Sequence, residues 1–172
     1  MRIVLATPLY PPEIAGAAAY TKELARRLSM HHEVTVVAYT HLPEELAGVK
    51  VIAVDKHQPR FARLRTFRDV LRKTARDTDV IIAVNGASVE LPLLLRNPVP
   101  FILCIADKTA HKRSRLLENI TSIRARAVIK DIPGSKPEIL PFEPEPTHAL
   151  AAWDGAWQKH IHTLEQILNH GN

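Results

Sequence analysis

Cysteine is almost missing from this sequence: Cys104 is the single one, and it sits inside an apolar run. One thiol excludes a disulfide framework or a cysteine-based zinc site within the chain, and fits a reducing compartment. Long apolar runs are missing too, for none approaches the roughly 20 residues that a membrane-spanning helix needs. Strand-like sequence begins at Ile3 with no signal peptide before it, so a cytoplasmic location is expected. No Gly-x-Gly-x-x-Gly follows that first run, which argues against a dinucleotide-dependent oxidoreductase. No serine lies in a Gly-x-Ser-x-Gly elbow, so a hydrolase triad lacks its usual sign. His31 and His32 are adjacent, and His160 and His162 are two apart, whereas histidines facing one ion on a helix stand three or four apart. No metal site and no cofactor are expected.

What is present is globular. The chain has 172 residues, enough for one domain with a real core, and is 46% hydrophobic and 24% charged. A net charge of +5 favours anionic partners without choosing among phosphates, lipids and nucleic acid.

The stretch from Arg2 to Leu28 organises the rest. Ile3-Val4-Leu5-Ala6 reads as a buried strand, a proline-containing loop follows to Ala15, and Ala17 to Leu28 has the pattern of an amphipathic helix. Ala17, Thr21, Leu24 and Leu28 share its apolar face, while Lys22, Glu23, Arg26 and Arg27 share the polar one, with Glu23 and Arg27 spaced to pair. Further strands are expected at Val34–Tyr39, Val49–Asp55 (near a sheet edge, from its broken alternation), Asp79–Val84, Phe101–Ala106 and Ala127–Lys130. Helices are expected between them: a basic one over Pro59–Arg76, one from about Ser88 to Arg96, and one over Leu116–Arg124. In the basic helix Phe61, Leu64, Val70 and Leu71 mark the apolar stripe, with Phe67 at its border. Alternation of this kind calls for an α/β fold: a Rossmann-like, three-layer α/β/α domain around a mainly parallel sheet of about six strands.

Five prolines between Pro133 and Pro146 mark an extended linker. A final helix follows, with Thr147 as its N-cap and Leu150, Trp153, Trp157, Ile161, Leu164 and Leu168 as one stripe. Folding back onto the domain covers that stripe most simply; a partner chain is the alternative. The expected division is a domain over residues 1–132, a linker over 133–146 and a helix over 147–172.

Tyr10-Pro11-Pro12-Glu13, with Gly16, Tyr20 and the turn His31-His32-Glu33-Val34, resembles the N-terminal half of GT-B fold glycosyltransferases, in particular the large retaining family four. The likeness runs from Met1 to about Lys130. It implies a domain that binds the acceptor and turns its glycine loop toward a nucleotide-sugar held by a second domain. Ala151-Ala152-Trp153 to Leu168 resembles the closing helix of the full enzyme, which packs back on the N-terminal domain. Several positions depart from the family. Ala15 and His31 stand where glycines are usual, and Ala106-Asp107 stands where many members carry His-Asp near the reacting sugar. The 172 residues leave no room for the expected donor domain, with its two glutamates that have seven residues between them; Glu138, Glu143 and Glu145 lie in the proline-rich segment instead. The resemblance therefore implies a half-enzyme that needs a separate donor-binding chain to transfer a sugar. A non-catalytic binding or scaffold protein of the same descent is the alternative, favoured by Ala106 and the missing glutamate pair.

Candidate site residues follow from these readings. Asp107 and His111, after the fifth strand, are the catalytic candidates. Glu13, Ala15, Gly16 and Ala17 at the first helix entry, Asn85 and Gly86 after the fourth strand, and Lys112 are the ligand-binding candidates. A tight helix entry explains Gly16 equally well, and Asn-Gly is an ordinary turn pair. The basic helix, with Arg60, Arg63, Arg68, Arg72 and Lys73, reads as a solvated face, as a contact for an anionic membrane, or least readily as a nucleic-acid surface, since no recognition motif accompanies it.

Overall fold

The computed structural model describes residues 1–13, 15–95, 99–106, 115–134 and 146–170. Six strands form one sheet: β1 (Arg2–Thr7), β2 (Glu33–Tyr39), β3 (Val49–Val54), β4 (Val80–Val84), β5 (Phe101–Cys104) and β6 (Ala127–Ile129). Their order is β3-β2-β1-β4-β5-β6, and every one of these pairings is parallel. The helices are α1 (Gly16–Leu28), α2 (Arg60–Ala75), α3 (Ala87–Leu94), α4 (Arg115–Arg124) and α5 (Pro146–Asn169). This is the expected three-layer, Rossmann-like α/β/α fold, with β3 on the sheet edge as its broken alternation implied.

The sheet separates two cores because successive side chains leave a strand on opposite faces. Ile3, Leu5, Val34, Val36, Val80, Ile82, Ile102 and Cys104 join α1 and α5 in one core. Val4, Ala6, Val37, Tyr39, Ile81, Ala83, Phe101 and Leu103 join α2 and α3 in the other. Continuous apolar runs are therefore required of these strands, and that is how they read.

Helix α5 folds back on the domain. Trp157 and Leu164 are fully buried and Leu168 nearly so, in the same core as β1. Trp157 stacks on Tyr20 of α1 at 5.5 Å between ring centroids. Both indole N–H groups, of Trp153 (2.8 Å) and Trp157 (3.3 Å), donate to the carbonyl of Gly134 just beyond β6.

Four local expectations are corrected. Arg27 does not lie on the solvent face of α1: it is buried beneath α5, its guanidinium 5.4 Å from the ring centres of both Trp153 and Trp157, and bonded to Asp154 at 2.6 Å and Glu23 at 2.6 Å. Helical periodicity alone assigns Arg27 to the polar side; a distant helix supplying an acid and two rings reverses the assignment. In α2, Phe67 is fully buried and stacked on Tyr39 at 4.6 Å, whereas Phe61 in the first turn is 86% exposed. The buried row is Phe67, Leu71 and Ala75. Leu150 in α5 is also exposed, and Thr147 lies inside the first turn of a helix that begins at Pro146, not before it. Gly171 and the linker residues 135–145 lie outside the described residues.

Trp157→Ala should lower the unfolding free energy by about 3–5 kcal/mol, the usual cost of truncating a fully buried large aromatic. Urea unfolding of the full chain measures it; a loss under about 1 kcal/mol would mean that α5 is not part of the folded core.

Candidate functional site

In an open parallel sheet, ligands collect outside the carboxyl ends of the strands, where the strand order reverses. Here the reversal falls between β1 and β4. The loop after β1 and the turn after β4 meet at that place, since a side chain at Gly86 would bring its Cβ within 3.3 Å of the Pro8 ring. Gly86 also has φ of +152°, which disfavours any other residue there.

The β1–α1 loop is held from below. Tyr10 is fully buried, and its phenol is pushed up to about 12, mainly by burial and secondarily by Glu44. Among the described residues its hydroxyl has no hydrogen-bond partner. The amide of Glu44 donates to the Pro11 carbonyl at 3.0 Å, and that of Glu13 to the Tyr10 carbonyl at 3.2 Å. The Pro11-Pro12 bond is cis. Thr21 ties the base of the loop, its hydroxyl bonding to Thr7 Oγ1 (3.0 Å) and the Ala17 carbonyl (2.7 Å).

At the entry to α1, Ala15 is the N-cap in extended conformation (φ −155°), which a Cβ tolerates, so alanine in place of glycine strains nothing. Among the described residues no side chain caps the start of this helix. Among the described residues, no atom lies within 4 Å of where a Cβ on Gly16 would stand, and its φ lies outside the region that favours glycine. Neither backbone conformation nor neighbouring protein therefore demands a glycine at residue 16. The first amides of α1 lie at this terminus, which carries the positive end of the helix dipole.

Other candidate residues are engaged within the fold. Glu13 pairs with Lys56. The Asn85 side-chain oxygen accepts from the Ala106 amide at 2.8 Å, and its own amide donates to the Cys104 carbonyl at 2.9 Å, fastening β4 to β5. Gly86 caps α3, and its amide donates to the carboxylate of Glu90 at 2.9 Å. Buried Glu90, unremarked in the sequence, also accepts from Thr121 of α4 at 3.2 Å. Asp107, His111 and Lys112 lie outside the described residues.

The basic residues of α2 divide. Arg60 and Arg72 are exposed, and Arg68 bonds Asp69 at 2.8 Å beside a groove lined by Phe61, Leu64, Leu91, Pro92 and Leu95. Arg63 turns inward over the Tyr39 ring at 5.4 Å and donates to the Lys56 carbonyl at 2.9 Å. Lys73 lines a groove of about 650 Å³ with Arg2, Glu33, Lys50 and Asp77, at the amino ends of the strands. That groove faces away from the loops just described, so its size does not make it the site.

Behind α1 lies a buried polar group that the sequence spacing did not disclose. The Tyr20 hydroxyl and His160 Nε2 are 2.8 Å apart. Burial pushes the Tyr20 phenol far up, the Cys104 thiol up to about 11 and the His160 imidazole down to about 4. All three are neutral near pH 7, so Cys104 is core and no thiolate nucleophile is available.

Taken together, the architecture is that of a Rossmann-like α/β domain with an uncapped helix entry at its strand-order reversal. No protein-family model matches the chain, and no curated protein matches it significantly. Among solved structures it is similar to sucrose-phosphate synthase from Thermosynechococcus elongatus, at a TM-score of 0.59 and 16% identity, over 77% of this chain and 43% of that one. The chain thus spans less than half of that enzyme. It is also similar to the C-terminal domain of the coenzyme A biosynthesis bifunctional protein CoaBC, at a TM-score of 0.54 and 12% identity, over 98% of this chain and 96% of that domain. A UDP-N-acetylglucosamine 2-epimerase from Listeria monocytogenes gives a TM-score of 0.48 at 12% identity, over 74% of this chain and 37% of that one. At such identities these likenesses establish the fold alone.

His160 gives stability a pH dependence of definite sign. An unfolded histidine titrates near 6.5, whereas in the fold His160 is pushed down to about 4, so the unfolded chain takes up this proton first as pH falls. Its contribution is complete above about pH 6.5 and is lost between there and about 4. The urea midpoint should fall across that interval, and His160→Gln should make the fall shallower; an unchanged slope would assign the proton uptake to other groups.

Proposed function

We propose that this chain is the acceptor-binding half of a glycosyltransferase-like enzyme, acting with a separate chain that binds the nucleotide-sugar. The observation that carries the reading is Gly16. A glycine that neither its own backbone nor any described neighbour requires, at a helix N-terminus without a side-chain cap among the described residues, suits a place on the carboxyl edge of β1 where ligand phosphate or sugar comes close to the main chain. The resemblance of Tyr10-Pro11-Pro12-Glu13, Gly16 and Tyr20 to retaining GT-B enzymes supports the same assignment, as does the fold shared with sucrose-phosphate synthase. The division into a domain over 1–132, a linker over 133–146 and a returning helix belongs to this reading. The chain's role is to position the acceptor and to turn the α1 terminus toward the departing phosphate, while the partner clamps the donor.

A second reading, a non-catalytic scaffold of the same descent, draws on the internal use of Glu13, Asn85 and Gly86 and on Ala106 in place of histidine. Capture of tagged chain from its native cells, followed by mass spectrometry, separates the two. A partner with a nucleotide-sugar-binding domain, whose complex transfers sugar, is the expected outcome. Gly16→Ala should leave the melting temperature unchanged or slightly raised, since alanine is favoured in helices by about 1 kcal/mol, yet should reduce transfer by the complex. Transfer unaffected by Gly16→Ala, or a chain that clamps nucleotide-sugars unaided, would overturn this division of labour.

The reading extends to location: cytoplasmic, and peripheral on an anionic membrane carrying a lipid-linked acceptor. Among the described residues no helix is long and apolar enough to cross a membrane. The exposed ring of Phe61 stands in α2 with Arg60, Arg65 and Arg72 also exposed, an apolar anchor among cations. Sedimentation with anionic vesicles should be salt-sensitive and weakened by Phe61→Ser; equal binding to neutral vesicles would remove the electrostatic account.

A further inference from the structure

At the far end of the same sheet edge, three side chains distant in sequence come together. Parallel pairing of β2 with β3 sets Tyr39 beside Val54, and the Thr40 amide donates to the Val54 carbonyl at 3.2 Å. The register carries on past both strand ends and brings His41 beside the turn that holds Asp55 and His57. The two imidazoles meet edge-on at 5.5 Å between centroids, and the ligand atoms of His41, Asp55 and His57 lie within 4.8 Å of one another.

We infer that His41, Asp55 and His57 form a binding site for a first-row divalent transition-metal ion, with zinc the best match. Two imidazole nitrogens and a carboxylate oxygen suit zinc and its neighbours, while calcium and magnesium favour oxygen-only shells. Zinc bonds of about 2.0–2.1 Å in tetrahedral array separate ligand atoms by roughly 3.3 Å. The set is therefore somewhat open, and all three side chains are exposed, so rotamer changes close it without moving the backbone. Among the described residues no hydrogen bond or ion pair engages either imidazole, so their nitrogens are uncommitted.

The backbone carrying them is fixed. Asp55 accepts the His57 amide on Oδ1 at 2.9 Å, which leaves Oδ2 for an ion. Between these two residues Lys56 is held twice, by its ion pair with Glu13 and by Arg63 on its carbonyl at 2.9 Å. Preorganisation of this kind separates a binding set from three side chains that merely approach in solution. Three protein ligands leave a coordination position for water or for an anionic group, next to a loop already argued to receive one. The metal site stands whether or not the glycosyltransferase reading does.

Zinc titration of the untagged full chain against a chromophoric chelator tests this. One ion per chain is expected, with affinity reduced at least about tenfold, the loss that even outer-shell partners cause, in His41→Ala and in His57→Ala. Asp55→Asn, which keeps the turn acceptor and removes the charge, should weaken binding as well. All three positions are exposed, so melting temperatures in chelator should match the wild type and certify folding. Absence of zinc binding by the wild type, or equal binding by the His41→Ala/His57→Ala double variant, would overturn the site.

Discussion

Ile3 and Leu5 face one core, Val4 and Ala6 the other, and β1 is hydrogen-bonded to β2 and β4 on its two sides, so it has neither a face nor an edge in water. From that double burial the rest follows. Helices must cover both faces, parallel neighbours must be reached by crossovers, and the chain leaving β1 has one free direction, outward past the carboxyl end. The loop from Pro8 to Ala15 occupies that exit. Buried Tyr10 and the Thr21–Thr7 hydrogen bond fasten its described residues to the core.

Much of this was legible in the chain itself. A strand buried on two faces must be apolar without interruption, and Ile3 to Ala6, Val80 to Val84 and Phe101 to Cys104 show that directly. Periodicity also found the returning helix through Trp157, Leu164 and Leu168. It failed where a residue's surroundings come from elsewhere in the sequence. Arg27 reads as solvent-facing until Asp154, Trp153 and Trp157 arrive from the far end of the chain. Phe61 and Phe67 differ only in which of them meets Tyr39. For Gly16, sequence raised the question of a ligand role; among the described residues no atom lies within 4 Å of where its Cβ would stand.

The carboxyl edge of the sheet has two different characters. Toward β4 and β5, Asn85, Gly86 and Glu90 are consumed in joining strand to strand and α3 to α4, an arrangement that makes a firm wall. Toward β1, β2 and β3, the helix entry at Gly16 is uncapped and His41, Asp55 and His57 stand exposed, with the Glu13–Lys56 pair between them. Register explains why the histidines escaped sequence reasoning, since β-strand pairing, not helical spacing, makes them neighbours. Side chains engaged within the fold and side chains left exposed thus lie side by side along one rim.

The two indoles on the Gly134 carbonyl have a consequence for how the returning helix is seated. They tie the departure point of the chain after β6 to the helix on which it returns. The tie falls about two and three turns into α5, at Trp153 and Trp157 and not at Pro146, so the helix is clasped near its middle and a slide along its own axis breaks both bonds at once.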